Sequence, residues 1–124
     1  MKLIINHSSM QPIYEQIAGQ IKEKIMHGEM QEYEMLPSVR ILAKELRVSA
    51  LTVKKAYDTL EQEGFILTVH GKGSFVSAAN QAQFLEEKRR EVEAELEAAI
   101  RKGRSLGMDQ RELTELFQLI LEDA

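Results

Sequence analysis

The sequence predicts a mainly α-helical chain carrying one small β-hairpin, and three observations predict it. Isoleucines recur every fourth residue from Ile13 to Ile25, the spacing of one helical face. After Gly64 that period gives way to Phe65-Ile66-Leu67-Thr68-Val69, a short apolar, β-branched run. Ser74-Phe75-Val76-Ser77 answers it across Gly71-Lys72-Gly73. From residue 78 onward the chain turns to strong helix formers with mixed charge. The expected organisation is three helices and a hairpin in residues 1–77, then a two-helix tail over 78–124.

Each element has its own local signals. Residues 2–7 are at best a short extended segment. Pro12 suits the first turn of a helix, whose inward stripe is Ile13, Ile17, Ile21 and Ile25 and which Gly28 can end. The link from Glu29 to Leu36 reads as polar and irregular. Leu36-Pro37 excludes helix just before Ser38, because the residue ahead of a proline is driven out of the α region. Ser38 then caps a short helix with Val39, Leu42, Ala43 and Leu46 inward, and Ser49 caps a third with Val53, Ala56, Tyr57 and Leu60 inward. Only Arg47 and Val48 separate the second helix from that cap, the spacing of a helix-turn-helix. In the tail, Phe84 leads into a helix with a narrow stripe of Val92, Leu96, Ala99 and Ile100. Gly103 and Gly107 bracket a turn. Asp109 caps the last helix, with Glu112 at the capping-box position and Met108 placed to staple onto Leu113.

Composition narrows the functional classes. The chain has 124 residues, no cysteine and a formal net charge of −4. Disulfide frameworks, thiolate nucleophiles and Cys-based metal sites are excluded. His7, His27 and His70 are isolated, so no metal site and no cofactor are expected. No apolar run exceeds three residues, so neither a membrane span nor a signal-peptide core is present, and a cytoplasmic location is expected. No nucleophile–base pair or Gly-rich phosphate loop opening a helix argues for an enzyme. The charge is uneven. Residues 1–77 balance 9 basic against 9 acidic residues, and the excess lies in 78–124, with 7 basic against 11 acidic. Within the neutral part, Leu36–Tyr57 carries Arg40, Lys44, Arg47, Lys54 and Lys55 against Glu45 alone. These are either ordinary solvated helix charges or a face that meets phosphates.

Motif order decides between the two. Leu36-Pro37-Ser38-Val39-Arg40, Leu42-Ala43-Lys44-Glu45-Leu46, Val48-Ser49, Thr52-Val53-Lys54-Lys55-Ala56-Tyr57, Glu63-Gly64 and Gly71-Lys72-Gly73-Ser74-Phe75-Val76 follow one another in register. Over roughly residues 10–77 this closely resembles the winged helix-turn-helix of the GntR family of bacterial transcription regulators. The short helical tail looks like the YtrA-type branch of that family. The resemblance implies a second helix beginning at Pro37-Ser38, both counted among the DNA-binding residues, with Arg40 on the backbone or a guanine. It also implies a recognition helix whose Ser49, Thr52 and Lys54 meet phosphates or base edges, and a wing tip of His70, Gly71, Lys72 and Gly73 at the minor groove. Ala50, Leu51, Lys55 and Asp58 complete the outward set left by the core-facing residues of that helix; His70 could equally be a plain loop histidine.

Three stretches depart from the family pattern. Ala50 and Leu51 replace the hydrogen-bonding pair common there, which leaves apolar contact to thymine methyls as their available readout. Arg47 replaces the usual glycine of the turn, and Glu32-Tyr33-Glu34 replaces Pro-Gly-Asp; the fold is expected to survive both. The tail cannot bury its apolar faces alone. Val92, Leu96 and Ile100, with Leu113, Leu116, Phe117, Ile120 and Leu121, are therefore the expected dimer contacts. The expected partners are double-stranded DNA and a second copy of the chain. The expected function is a homodimeric repressor on near-palindromic operators, which the resemblance extends to its own operon and an ABC-type transporter. A tail that senses a small molecule is the alternative, and no convergent polar group indicates it.

Overall fold

In the computed structural model, which describes residues 1–78 and 81–124, the isoleucine stripe lies where its period puts it. Ile17, Ile21 and Ile25 are buried along one side of α1 (Ile13–Met26). Pro12 stands at the N-cap, one place outside the helix rather than in its first turn. The short α2 (Val39–Leu46) and α3 (Ala50–Gln62) pack Leu42, Val53, Ala56, Tyr57 and Leu60 against that stripe. Ser38 and Ser49 cap these helices as expected, each hydroxyl accepting the amide three residues on, from Ile41 at 3.2 Å and from Thr52 at 3.1 Å. At the other end of α3, the amide of Phe65 returns to Leu60 and its carbonyl accepts from Ser77, so a fully buried residue joins helix to hairpin.

The hairpin is shorter than its sequence signals at both outer ends. Strand β1 (Ile66–Val69) pairs antiparallel with β2 (Gly73–Val76), Ile66 opposite Val76 and Val69 opposite Gly73. Phe65 and Ser77 fall outside the strands, Gly73 falls inside, and the turn is His70–Lys72. The Glu29–Leu36 link is not simply polar and irregular. Met35 bridges Phe75, with Tyr33 and Leu36 donating to the carbonyls of Val76 and Ser74, and Val76 donating to Glu34. The outer edge of β2 is thus paired, while Met30 and Leu36 enter the core.

The N-terminal segment is held by polar side chains. Gln16 accepts from the amide of Asn6 and donates to the carbonyls of Asn6 and Gln11, and Gln20 closes a matching pair of bonds with Ile4. One helical turn apart, the two amides act as the edge of a strand would, satisfying an extended backbone that has no strand beside it.

Four helix ends close in the same way, with paired backbone bonds around a left-handed residue. At three of them that residue is Gly28, Gly64 or Gly107; at the end of α2 it is Arg47, with φ 57° and ψ 45°. Tyr33, at φ 70°, is the other non-glycine with positive φ among the described residues. Both positions are those where the sequence departs from a family glycine, and the backbone keeps the glycine-type conformation in each.

The chain divides into two compact units, Met1–Phe84 and Leu85–Ala124. Helix α4 (Gln81–Ser105) begins three residues before Phe84, whose ring packs edge to face on Phe65 at 4.8 Å between centroids. Lys22 pairs with Glu63 and lies over both rings. In the second unit, Gly103 sits inside α4 and does not bracket the turn, which falls between Ser105 and Asp109. Gly103 is buried because the Leu113 and Met108 side chains lie on it; a Cβ there would stand 2.6 Å from Leu113 Cδ2. Asp109 caps α5 (Gln110–Asp123) by accepting from the Glu112 amide at 2.9 Å.

Tyr33→Gly and Arg47→Gly should each raise stability by about 0.5–1 kcal/mol. The left-handed conformation costs a side chain ~1–2 kcal/mol, and glycine's extra unfolded freedom takes part of that back. Urea unfolding measures it, with an unchanged or lowered midpoint as the contrary result. Tyr57→Phe should cost about 1 kcal/mol, since the Tyr57 hydroxyl donates to the Pro37 carbonyl at 2.7 Å. Hydrogen exchange at the Ile41 amide should quicken with it; a protected amide would show that the Tyr57 bond does not hold the start of α2.

Candidate nucleic-acid interface

The candidate surface is built on what the core leaves over. On α3 the buried set of Val53, Ala56, Tyr57 and Leu60 fixes one face inward. Ala50, Leu51, Lys54, Lys55 and Asp58 are exposed on the rest, Leu51 to 77% of its area. The geometry of the first turn is tight: the Ser49 and Thr52 hydroxyls lie 2.7 Å apart while Ser49 also receives the Thr52 amide. Two hydroxyls are thereby fixed at the start of the helix, where unpaired amides also favour an anion.

Helix α2 is tied to α3 just ahead of its own first turn. The Tyr57 hydroxyl ties Pro37 to α3, and burial, followed by the nearby Glu45 charge, pushes that phenol well above its ordinary pKa, so it remains a donor. Ser38 is occupied as a cap, and Arg40 projects into solvent from the turn it caps.

The expected cations differ in how free they are. Arg40 and Lys72 are exposed and make no ion pair among the described residues. Lys54 pairs with Asp58 at 2.9 Å, a pairing that charge counting does not reveal although the i, i+4 spacing was there to see. Such an exposed pair is worth at most ~1 kcal/mol, so it can open to a phosphate. Lys55 lies 4.1 Å from the ring centroid of Tyr14 on α1. Tyr14 carries no sequence signal for this role beyond being an aromatic at the start of a helix. On the wing, His70, Gly71, Lys72 and Gly73 are all exposed, with Gly71 at φ 79° and the Lys72 amide closing the turn onto Val69 at 2.9 Å.

The tail residues are placed as a separate set in the second unit. Leu113 is half-buried against Gly103, whereas Val92, Leu96, Ile100, Leu116, Phe117, Ile120 and Leu121 are exposed. Leu85, Leu106 and Leu119 join them, unannounced by the stripe pattern. No group of His, Cys, Asp and Glu able to hold a metal ion occurs among the described residues. No described helix is long and apolar enough to cross a membrane.

Comparison with known proteins agrees with this arrangement. Residues 13–76 match the family model described as bacterial regulatory proteins, gntR family. The HTH-type transcriptional repressor YtrA of Bacillus subtilis (strain 168) is 36% identical over 96% of this chain and 92% of its own. A solved structure of YtrA from Sulfolobus acidocaldarius, a GntR-family transcription factor, is 40% identical with a TM-score of 0.62, over 74% of this chain and 97% of that one. The AraR DNA-binding domain, solved in complex with operator ORX1, is 26% identical with a TM-score of 0.56, over 62% of this chain and 96% of that one. The family match covers the three helices and the hairpin that carry the exposed cations. The chain belongs to the GntR family of bacterial regulatory proteins and is a DNA-binding transcription regulator with a winged helix-turn-helix, not an enzyme.

Proposed function

We propose that the protein is a cytoplasmic, homodimeric repressor that places α3 in the major groove of each half of a near-palindromic operator. The observation that carries this reading is α3 itself, buried on one face and exposed on the other. An α-helix fits a groove ~12 Å wide, so the free face of α3 can reach base edges. Arg40 on α2 and Lys72 on the wing, both exposed, add charge from the two elements that pack on α3. Ser49 and Thr52 meet the backbone at the helix start, and Lys54 reaches DNA once it leaves Asp58. His70, Gly71 and Gly73 shape the wing tip. Ala50 and Leu51 offer no hydrogen bond, so they read thymine methyls.

The tail supplies the second half of the reading. Across Leu85–Ala124, Gly103 is the buried residue and a run of large apolar side chains stays in water. Fully burying each is worth about 1.5–3 kcal/mol, so a second copy of the chain gains enough from covering them to form a dimer. Two-fold symmetry then sets two recognition helices on two half-sites. Two clefts of about 320 and 400 Å³ lie between the N-terminal segment and α1, lined mainly by polar side chains.

Two outcomes follow. Leu51→Asn should change the preferred base at one position per half-site, a preference worth about 1–3 kcal/mol, with non-specific affinity nearly unchanged. Selection from a random duplex pool returning the same site for both proteins would remove Leu51 as a reader. Phe117→Asp should leave the winged unit folded and produce monomers, lowering affinity for the full site by a factor of ~10²–10⁴. Sedimentation paired with full-site and half-site binding checks it, and a persistent dimer would place the interface elsewhere.

A further inference from the structure

We infer that Tyr14 on α1 positions Lys55 to take a DNA phosphate on the flank of the recognition helix, an inference that rests on α3 being the groove-facing element. Lys55 follows Leu51 by four residues, one turn further along the same outward face. A lysine there meets the wall of the groove that Leu51 enters. The two adjacent lysines of α3 are held by unlike partners. Lys54 is held by Asp58, which cancels its charge, whereas Lys55 is held by an aromatic face 4.1 Å away, which carries no net charge. The ring restrains the ammonium and leaves its charge and its outward N–H groups available to an oxyanion.

Tyr14 is itself fixed. Its ring is half-buried against the core that joins α1 to α3, and its hydroxyl donates to Glu15 Oε1 at 3.2 Å. Lysine carries a large rotamer entropy, much of which is lost whenever it binds a phosphate. Parking the side chain on a ring already locked by packing removes part of that loss before DNA arrives. Tyr14 thus acts through Lys55 and need not touch the DNA.

The test uses the full chain and two duplexes, one of mixed sequence and one selected by the parent protein from a random pool. Lys55→Ala should lower the slope of log affinity against log salt by roughly 1 per subunit on both duplexes, and Lys72→Ala on the wing should do the same. Tyr14→Leu should weaken binding about two- to fivefold on both, and should have no further effect when Lys55 is already alanine. Tyr14→Phe should restore parental binding, because it keeps the ring. In the parent protein bound to DNA, the Lys55 ε-methylene protons should remain shifted upfield by the ring, a measurement that needs no variant to fold. Equal losses from Tyr14→Leu with and without Lys55 would overturn the positioning role, as would unshifted Lys55 protons. A salt slope moved by Lys72→Ala but not by Lys55→Ala would overturn the Lys55 phosphate contact while leaving the wing on the DNA backbone. A slope moved by neither would overturn both contacts.

Discussion

At Arg47 the backbone turns left-handed, and two main-chain bonds, from Arg47 to Lys44 and from Val48 to Ala43, fold the end of α2 back so that Ser49 can start α3 at once. The angle between the two helices follows from this turn, because no longer linker is present to absorb a different one. The Tyr57 hydroxyl braces the same corner from the opposite end, joining α3 to the residue before the α2 cap. With both ends of the corner tied, the direction in which Leu51 and Lys55 project is a property of the core. An arginine in a glycine-type conformation makes the corner locally costly, and the packing of Leu42, Val53 and Leu60 holds it there.

The charges on this frame are sorted by what restrains them. Arg40 and Lys72 are free to meet any oxyanion that approaches; Lys54 is neutralised by its helix neighbour; Lys55 is restrained without being neutralised. A surface described only as basic would treat the four as equal. Away from that face, Lys22 is spent on Glu63 and on the aromatic pair that docks the first turn of α4. A mildly acidic protein can still present a basic face because its acidic excess lies in the tail.

Much of the fold was readable from the chain because apolar period and cap chemistry are local. The buried faces of the first three helices, the Ser38, Ser49 and Asp109 caps and the hairpin all follow from residues a few places apart. Features built across long sequence separations did not show. Met35 pairs with Phe75 through backbone groups that carry no side-chain signature. Gln16 and Gln20 hold the N-terminal segment with polar side chains, to which a search for apolar stripes is blind. Gly103 looks like a helix breaker until Leu113, ten residues on, is seen lying against it. The cations of the interface were legible as residue types, but their partners were not. Lys54 with Asp58 is a local pair among several options, and Lys55 with Tyr14 depends on how α1 crosses α3.

The contact of Leu113 with Gly103 carries a consequence for how this tail changes over evolutionary time. The space a methyl group would need at position 103 is already filled by one branch of the leucine. A larger residue at 103 can be accepted only beside a smaller one at 113, or by opening the helical hairpin and turning its apolar side chains to new directions. Positions 103 and 113 should therefore drift as a couple wherever the helical hairpin keeps its present packing. Under the tail dimer proposed above, a lineage in which one changes without the other is where a different pairing specificity would arise, separating two copies of such a gene into regulators that no longer mix.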